Sequence, residues 1–161
     1  MKTVTISLWL IPMAFVLSVG SQRLTDLQKR ALTSAVEDFH RKVNINNAYK
    51  PSPILKVQEM DLSDGKFVQL QFHMKQTGCK KQDRNKKNCR ILRSGSAENC
   101  FACYVFQNGS NRDWIKQREY IDCLPEASLT LDQEGVRTQA CKNLQEEKIH
   151  LIGVYSFQRS D

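Results

Sequence analysis

The first periodic pattern in the chain lies at residues 26–42 and has the spacing of an amphipathic helix. Thr25 and Gln28 stand three residues apart, as in a capping box, in which each side chain bonds the other residue's backbone amide. The charges on the polar side are mixed, which favours a helix packed on a core over one on a membrane. The predicted core stripe consists of Leu27, Ala31, Leu32, Ala35, Val36 and Phe39. His40 borders this stripe, and we expect it to be solvated and without a role.

The pattern changes from helical to alternating after residues 51–53, Pro-Ser-Pro, which predict a break. Residues 67–75 alternate between apolar and polar side chains, as in a half-buried antiparallel strand. The apolar face of this predicted strand consists of Val68, Leu70, Phe72 and Met74.

A hairpin is predicted before this strand, because Ser63, Asp64 and Gly65 form a turn signal after an apolar segment at residues 55–62. In that segment the alternation of apolar positions shifts by one residue between Val57 and Met60, which predicts a bulge.

Two more strands are predicted at residues 100–106 and 114–123, with a turn near Asn108 and Gly109. One helix followed by an antiparallel meander has a direct packing solution, in which the helix stripe covers the apolar face of the sheet. The fold class is therefore α+β, in one domain of about 140 residues.

The N-terminus has the composition of a secretory signal peptide. Residues 1–3 form a short start with one basic residue, Lys2, residues 4–17 are mostly apolar, and Gly20 ends a stretch of small residues at the cleavage position. The apolar run is short for a membrane span, so we expect residues 1–20 to be removed and the product to be secreted rather than integral to a membrane. Removal takes away one lysine, and the formal charge falls from +7 to +6.

An even number of cysteines in a secreted chain predicts three disulfides. Six cysteines allow about 15 pairings, so spacing leaves the connectivity open. A Cys-x-x-Cys pair also occurs in zinc and redox sites, but secretion favours structural bridges, and we expect neither metal nor cofactor. The histidines His40, His73 and His150 are scattered and no catalytic motif is present, so we do not expect an enzyme. The cysteines are Cys79, Cys89, Cys100, Cys103, Cys123 and Cys141.

A basic segment follows Cys79, and before Glu98 its only acidic residue is Asp83. Such a segment attracts polyanions, and outside cells these are heparan-type glycans and bacterial surfaces. Nucleic acid is not expected, because no aromatic residues are interleaved. The alternative is a solvated loop whose charge serves solubility. The cations are Lys80, Lys81, Arg84, Lys86, Lys87, Arg90 and Arg93.

The last thirteen residues, 149–161, are apolar and aromatic until Arg159 precedes a polar dipeptide. Cleavage by a trypsin-like serine protease after Arg159, followed by a carboxypeptidase that removes the arginine, would create a new C-terminus at Gln158. Tyr155 and Phe157 could then fill a receptor pocket, with the carboxylate bound nearby. The alternative is a frayed chain end with an incidental arginine.

The helix segment Ala35-Val36-Glu37-Asp38-Phe39, and residues 67–75 running into Thr77-Gly78-Cys79, resemble the cystatin and cathelicidin-precursor family. The resemblance covers nearly the whole chain and implies a cystatin-like domain at residues 21–148 followed by a tail. It also implies the pairs Cys79–Cys89, Cys100–Cys123 and Cys103–Cys141.

The tail resembles that of chemoattractant ligands with this fold, which carry Gly-x-Phe-x-Phe-small and then cleavable basic residues. Gly153, Tyr155, Phe157 and Gln158 occupy these positions, and the chain departs from the motif at Tyr155 and Gln158. It also lacks the aromatic pair and the proline that precede the glycine. The resemblance implies a chemokine-like G-protein-coupled receptor on leukocytes and fat cells, with roles in chemotaxis, inflammation and adipocyte regulation.

Two other functions follow from the same resemblance. One is a cathelicidin-like antimicrobial or glycan-binding protein of host defence. The other is inhibition of papain-like cysteine proteases, which requires an apolar hairpin and a Pro-Trp loop. Here residues 62–66 are polar and charged, and Trp114 is not preceded by proline, so we do not expect inhibition.

Overall fold

The computed structural model describes residues 23–42, 44–109 and 113–154, with side chains as far as residue 146. The predicted signal peptide and residues 155–161 lie outside these ranges. Within them the elements are α1 (Asp26–Arg41), β1 (Asn47–Leu62), β2 (Gly65–Lys80), β3 (Ala97–Asn108), β4 (Trp114–Pro125) and α2 (Leu131–Val154). The strands form one antiparallel sheet in the order β1-β2-β3-β4. The predicted meander is confirmed.

Helix α1 begins where the sequence predicted. The Thr25 hydroxyl accepts a hydrogen bond from the Gln28 amide at 3.2 Å, and the Gln28 side chain accepts one from the Thr25 amide at 3.1 Å. The capping box is therefore confirmed.

Strand β1 differs from the prediction in its length and in its irregularities. It starts at Asn47, so residues 51–53 lie inside it rather than in a break. An edge strand tolerates proline because one side of its backbone has no ladder partner, and the register shifts between Pro51 and Ile54. The predicted bulge between Val57 and Met60 is also wrong, since both residues pair regularly with β2. The alternation of apolar positions shifts there because Met60 is an exposed apolar residue on the other face of the sheet.

The helix α1 packs on one face of the sheet, as predicted. Its buried residues Leu27, Ala31, Ala35 and Phe39 meet the apolar face of β2, and Leu32 and Val36 are partly buried beside them. Val68, Leu70, Phe72 and Met74 are fully buried in this contact.

His40 is buried, contrary to the expectation of a solvated residue, with a relative exposure of 2%. Its Nδ1 lies 2.7 Å from the carbonyl oxygen of Val36, and its Nε2 accepts a hydrogen bond from the Tyr49 amide at 3.0 Å. The imidazole joins the end of α1 to β1, so its polar atoms are satisfied without water.

The opposite face of the sheet is covered by α2, which the sequence analysis did not predict. Phe67, Phe101, Cys103 and Val105 form a second buried cluster with Cys141 of α2. Residues 99–106 are buried continuously, because β3 is covered on both faces. The result is a three-layer α+β arrangement with three disulfides, consistent with the cystatin-like fold.

Candidate functional site: a basic loop and a helix that leads to the tail

The basic segment forms the connection between β2 and β3, which we call the basic loop (residues 79–93). The disulfide Cys79–Cys89 closes its first part into a ring. Six of its seven predicted cations are exposed, and Lys81 is half-buried. Asp83, its acidic residue, lies 3.0 Å from Lys86. Positive charge therefore remains in large excess.

Backbone hydrogen bonds hold the basic loop against strand β2. The Gly78 amide donates to the carbonyl of Arg90 at 3.1 Å, and the Leu92 amide donates to the carbonyl of Gln76 at 2.9 Å. Ile91 forms an isolated bridge with Thr77. These contacts fix the backbone of the loop on β2, so the positions from which its cations project are defined.

The structure places one further cation, Lys50, beside this loop. Lys50 Nζ donates to the carbonyl of Cys89 at 2.7 Å, and Lys81 Nζ donates to the backbone carbonyl of Lys42 at 2.9 Å. Lys50 was missed by sequence reasoning, because it lies 39 residues from its contact along the chain. No local spacing pattern reveals such a contact.

Two depressions meet at Arg84. One, of about 620 Å³, is lined by Lys80, Lys81 and Arg84 together with the polar side chains of Asn46 and Asn47. The other, of about 350 Å³, lies between α1 and β1, and its wall combines Arg84 and Lys50 with Glu37 and with apolar side chains such as Leu32 and Val36. The polar and cationic depression at this end of the domain is therefore the first of the two.

The cations of the basic loop also affect the pKa of His40. Burial lowers the pKa of His40 below its ordinary value of 6.5, and the positive charges of Arg84 and Lys81 lower it further. The hydrogen bond with Val36 acts in the opposite direction without reversing the shift.

Helix α2 is fixed to the sheet by a disulfide and a buried arginine. Cys141 is bonded to Cys103 of β3. Arg137, only 2% exposed, donates from Nε to Asp122 at 2.7 Å. It also donates to the side chain and backbone carbonyl of Asn99, at 3.1 and 3.2 Å. Sequence reasoning missed Arg137, since an arginine in a polar segment resembles a surface residue.

Of the predicted tail residues, the structure describes only those that lie within α2. Gly153 lies in the backbone of α2, so the predicted start of the tail at residue 149 falls inside the helix. Tyr155, Phe157, Gln158 and Arg159 lie outside the described residues, as does Gly20.

The hairpin that a cystatin-type inhibitor would use lies at the other end of the sheet and carries charge. Lys66 forms ion pairs with Glu59 at 2.9 Å and Asp61 at 3.0 Å. The side chain of Gln107 donates to Asp64 at 2.6 Å. The structure brings this hairpin beside Trp114, but the surface they share is polar.

Several curated proteins that are similar to this chain share one name. Retinoic acid receptor responder protein 2 of Homo sapiens and that of Pongo abelii are each 34% identical to it over 97 residues. The protein of this name from Mus musculus is 35% identical over 80 residues, which is 50% of this chain and 49% of the relative. These relatives are chemerins. The chain is similar to them over half to three fifths of its length.

The similarity to chemerin covers part of each protein. The human match includes 58% of this chain and 60% of the relative, so the chain spans about three fifths of the length of the curated chemerin that it matches. No family model matches the chain. The pairing implied by the resemblance is confirmed, with Cys79–Cys89, Cys100–Cys123 and Cys103–Cys141 all present.

Among the helices within the described ranges, none is long and apolar enough to cross a membrane. Over the same residues, no group of three or more His, Cys, Asp or Glu side chains is arranged to hold a metal ion.

Proposed function

We propose that this protein is the secreted precursor of a chemoattractant and adipokine, a ligand for a chemokine-like G-protein-coupled receptor. The chemerin homologues and the three disulfides support this proposal. The receptor class follows from the tail motif and its likeness to chemerin-type tails. The cellular roles are chemotaxis, inflammation and adipocyte regulation.

The observation that carries the proposal is the attachment of α2. The Cys103–Cys141 bridge and the buried Arg137 fix the first part of this helix to the sheet. The helix continues to Val154, one residue before the predicted receptor-binding aromatics. A domain stabilised in this way is suited to carry a short signal at its C-terminus, because ligand segments placed on rigid elements lose less entropy on binding.

Activation in this proposal removes a steric block. Residues 159–161 follow the apolar end of the tail and would keep it out of a closed receptor pocket. A serine protease cuts after Arg159, and a carboxypeptidase then removes that residue to leave Gln158 with a free carboxylate. The side chains of Arg159 and Asp161 have opposite charges, so a change in net side-chain charge is not the trigger.

The proposal is tested with three purified forms that end at Gln158, Arg159 and Asp161. Cells that express the receptor should respond most strongly to the form ending at Gln158 and least to the full-length chain. An Arg159→Ala variant of the full-length chain should resist activation by trypsin-like proteases while it is secreted normally. Equal signalling by the three forms would refute proteolytic activation.

A further inference from the structure

The basic loop and the second half of helix α2 lie toward opposite ends of the domain. The basic loop begins where β2 ends, at Lys80, and it leads into β3 at Ala97. Helix α2 starts near this end, where Arg137 contacts Asn99. It then runs toward the far end, where Leu144 is packed against the buried cluster that contains Phe67 and Val105. The twelve residues of β3 separate the two ends by roughly 40 Å.

The two ends also differ in charge. The basic loop has seven cations with Asp83 as its acidic residue, and Lys50 adds to them. At the far end the one cation of the hairpin, Lys66, is paired with both Glu59 and Asp61. A polyanion is therefore attracted to one end of the molecule.

We propose that the basic loop, with Lys50, binds a sulfated glycan chain, and that the bound protein keeps its tail free for processing. Charge complementarity identifies the partner, and the polar depression of about 620 Å³ offers amide side chains for hydroxyl and sulfate groups. The inference that the tail stays free for processing rests on the proposed function. The inference that the basic loop binds a glycan is independent of it.

A glycan is favoured over an anionic membrane by the composition of the loop. A membrane-binding surface combines cations with an apolar face that enters the lipid. Here the exposed apolar residues of the loop are Ile91 and Leu92, and both lie in a segment that is hydrogen-bonded back onto β2. The cations themselves are spread over an exposed ring.

The binding step is tested with immobilised heparin and two variants of equal net charge. The loop variant carries Lys80→Ala, Arg84→Ala, Lys87→Ala and Arg90→Ala, all at exposed positions. The control carries Lys29→Ala, Arg30→Ala, Lys56→Ala and Lys142→Ala, which are exposed and lie outside the loop. Lys81 is kept in both, because it donates to the backbone of Lys42.

The loop variant should bind heparin at least roughly tenfold more weakly than wild type. Each exposed ion pair contributes a factor of up to about five in affinity, and the variant lacks four cations. The control should elute at nearly the same salt concentration as wild type. Equal losses in the two variants would show that net charge alone is responsible and would overturn the site. Tighter binding to vesicles of phosphatidylglycerol than to heparin, with the same dependence on the loop, would replace the glycan by a membrane.

The second step is tested by digestion at Arg159 with a trypsin-like protease, followed by mass spectrometry. The rate of cleavage should be the same with saturating heparin and without it, because α2 runs from the end near the basic loop toward the other end of the domain. Protection of Arg159 by heparin would overturn the separation of the two ends. Because this readout is cleavage, it remains valid even if the tail does not signal, so failure of the receptor proposal is recognised separately.

Discussion

Cys100 and Cys103 are three residues apart on β3, and their disulfides lie on opposite faces of the sheet. Cys100 joins Cys123 of the neighbouring strand in the core under α1, and Cys103 joins Cys141 of α2. Side chains three residues apart on a strand point to opposite faces. The Cys-x-x-Cys spacing here therefore serves two separate bridges, one for each layer of the fold.

Removing the bridge to α2 should destabilise the domain more than removing the bridge in the basic loop. Cys103→Ser with Cys141→Ser opens a connection of 38 residues, whereas Cys79→Ser with Cys89→Ser opens one of 10. The chain-entropy description gives losses of roughly 4 and roughly 3 kcal/mol in the free energy of unfolding. Chemical denaturation of both double variants measures the difference. A larger loss in the basic-loop variant would contradict the anchoring role assigned to Cys141.

Arg137 should be the polar residue of α2 most sensitive to substitution. In Arg137→Ala, Asp122 and Asn99 lose the hydrogen bonds that the guanidinium donates, at a cost of about 3 kcal/mol in the free energy of unfolding. Lys142→Ala, on the exposed side of the same helix, is the matched control and should cost less than about 0.5 kcal/mol. Equal effects would show that Arg137 adds nothing beyond an ordinary surface cation.

The sequence predicted the elements that bury one face and whose pattern depends on residues close together in the chain. The capping box of α1 and the alternation in β2 depend on neighbours within a few residues, and both are confirmed. The second layer is less visible, because residues 131–148 of α2 are mostly polar and, among its described side chains, only Arg137 and Cys141 are buried. One signal was present in the sequence. Residues 100–106 are apolar without alternation, which is typical of a strand covered on both faces.

The candidate site was predicted in part. The seven cations lie close together in the sequence, so local composition reveals them, whereas Lys50 joins them only through a tertiary contact. His40 was misjudged because its partners, Val36 and Tyr49, are brought to it by the turn of α1 and its packing on β1.

Acid should weaken the domain through His40. Its pKa is lowered in the folded state by burial and by Arg84 and Lys81, so the unfolded chain binds the proton more readily. The contribution of His40 to stability is complete above pH 6.5 and is lost progressively as the pH falls below that value. Protonation of Nε2 would also displace the Tyr49 amide. Denaturation curves at pH 7.5 and 5.5 should differ less in His40→Gln than in wild type.

Papain-like proteases should be inhibited weakly or not at all. Insertion of the hairpin into an apolar cleft would desolvate Lys66 and Asp61, at a cost of several kcal/mol according to general transfer energies. Titration of papain with the purified protein measures this directly. Inhibition at stoichiometric concentrations would restore the cystatin function and direct mutagenesis to residues 62–66.

The aromatic side chains of the tail should dominate receptor potency. In the form that ends at Gln158, Phe157→Ala or Tyr155→Ala removes an anchor that would fill a receptor pocket. A buried aromatic anchor commonly contributes about 2 kcal/mol, so potency should fall roughly thirtyfold. Ser156→Ala is the control between them and should change potency little. A synthetic peptide of residues 150–158 should keep part of the activity, because the predicted contact surface is contiguous. If Phe157→Ala signals like wild type, receptor binding does not depend on the tail, and the basic loop becomes the surface to test.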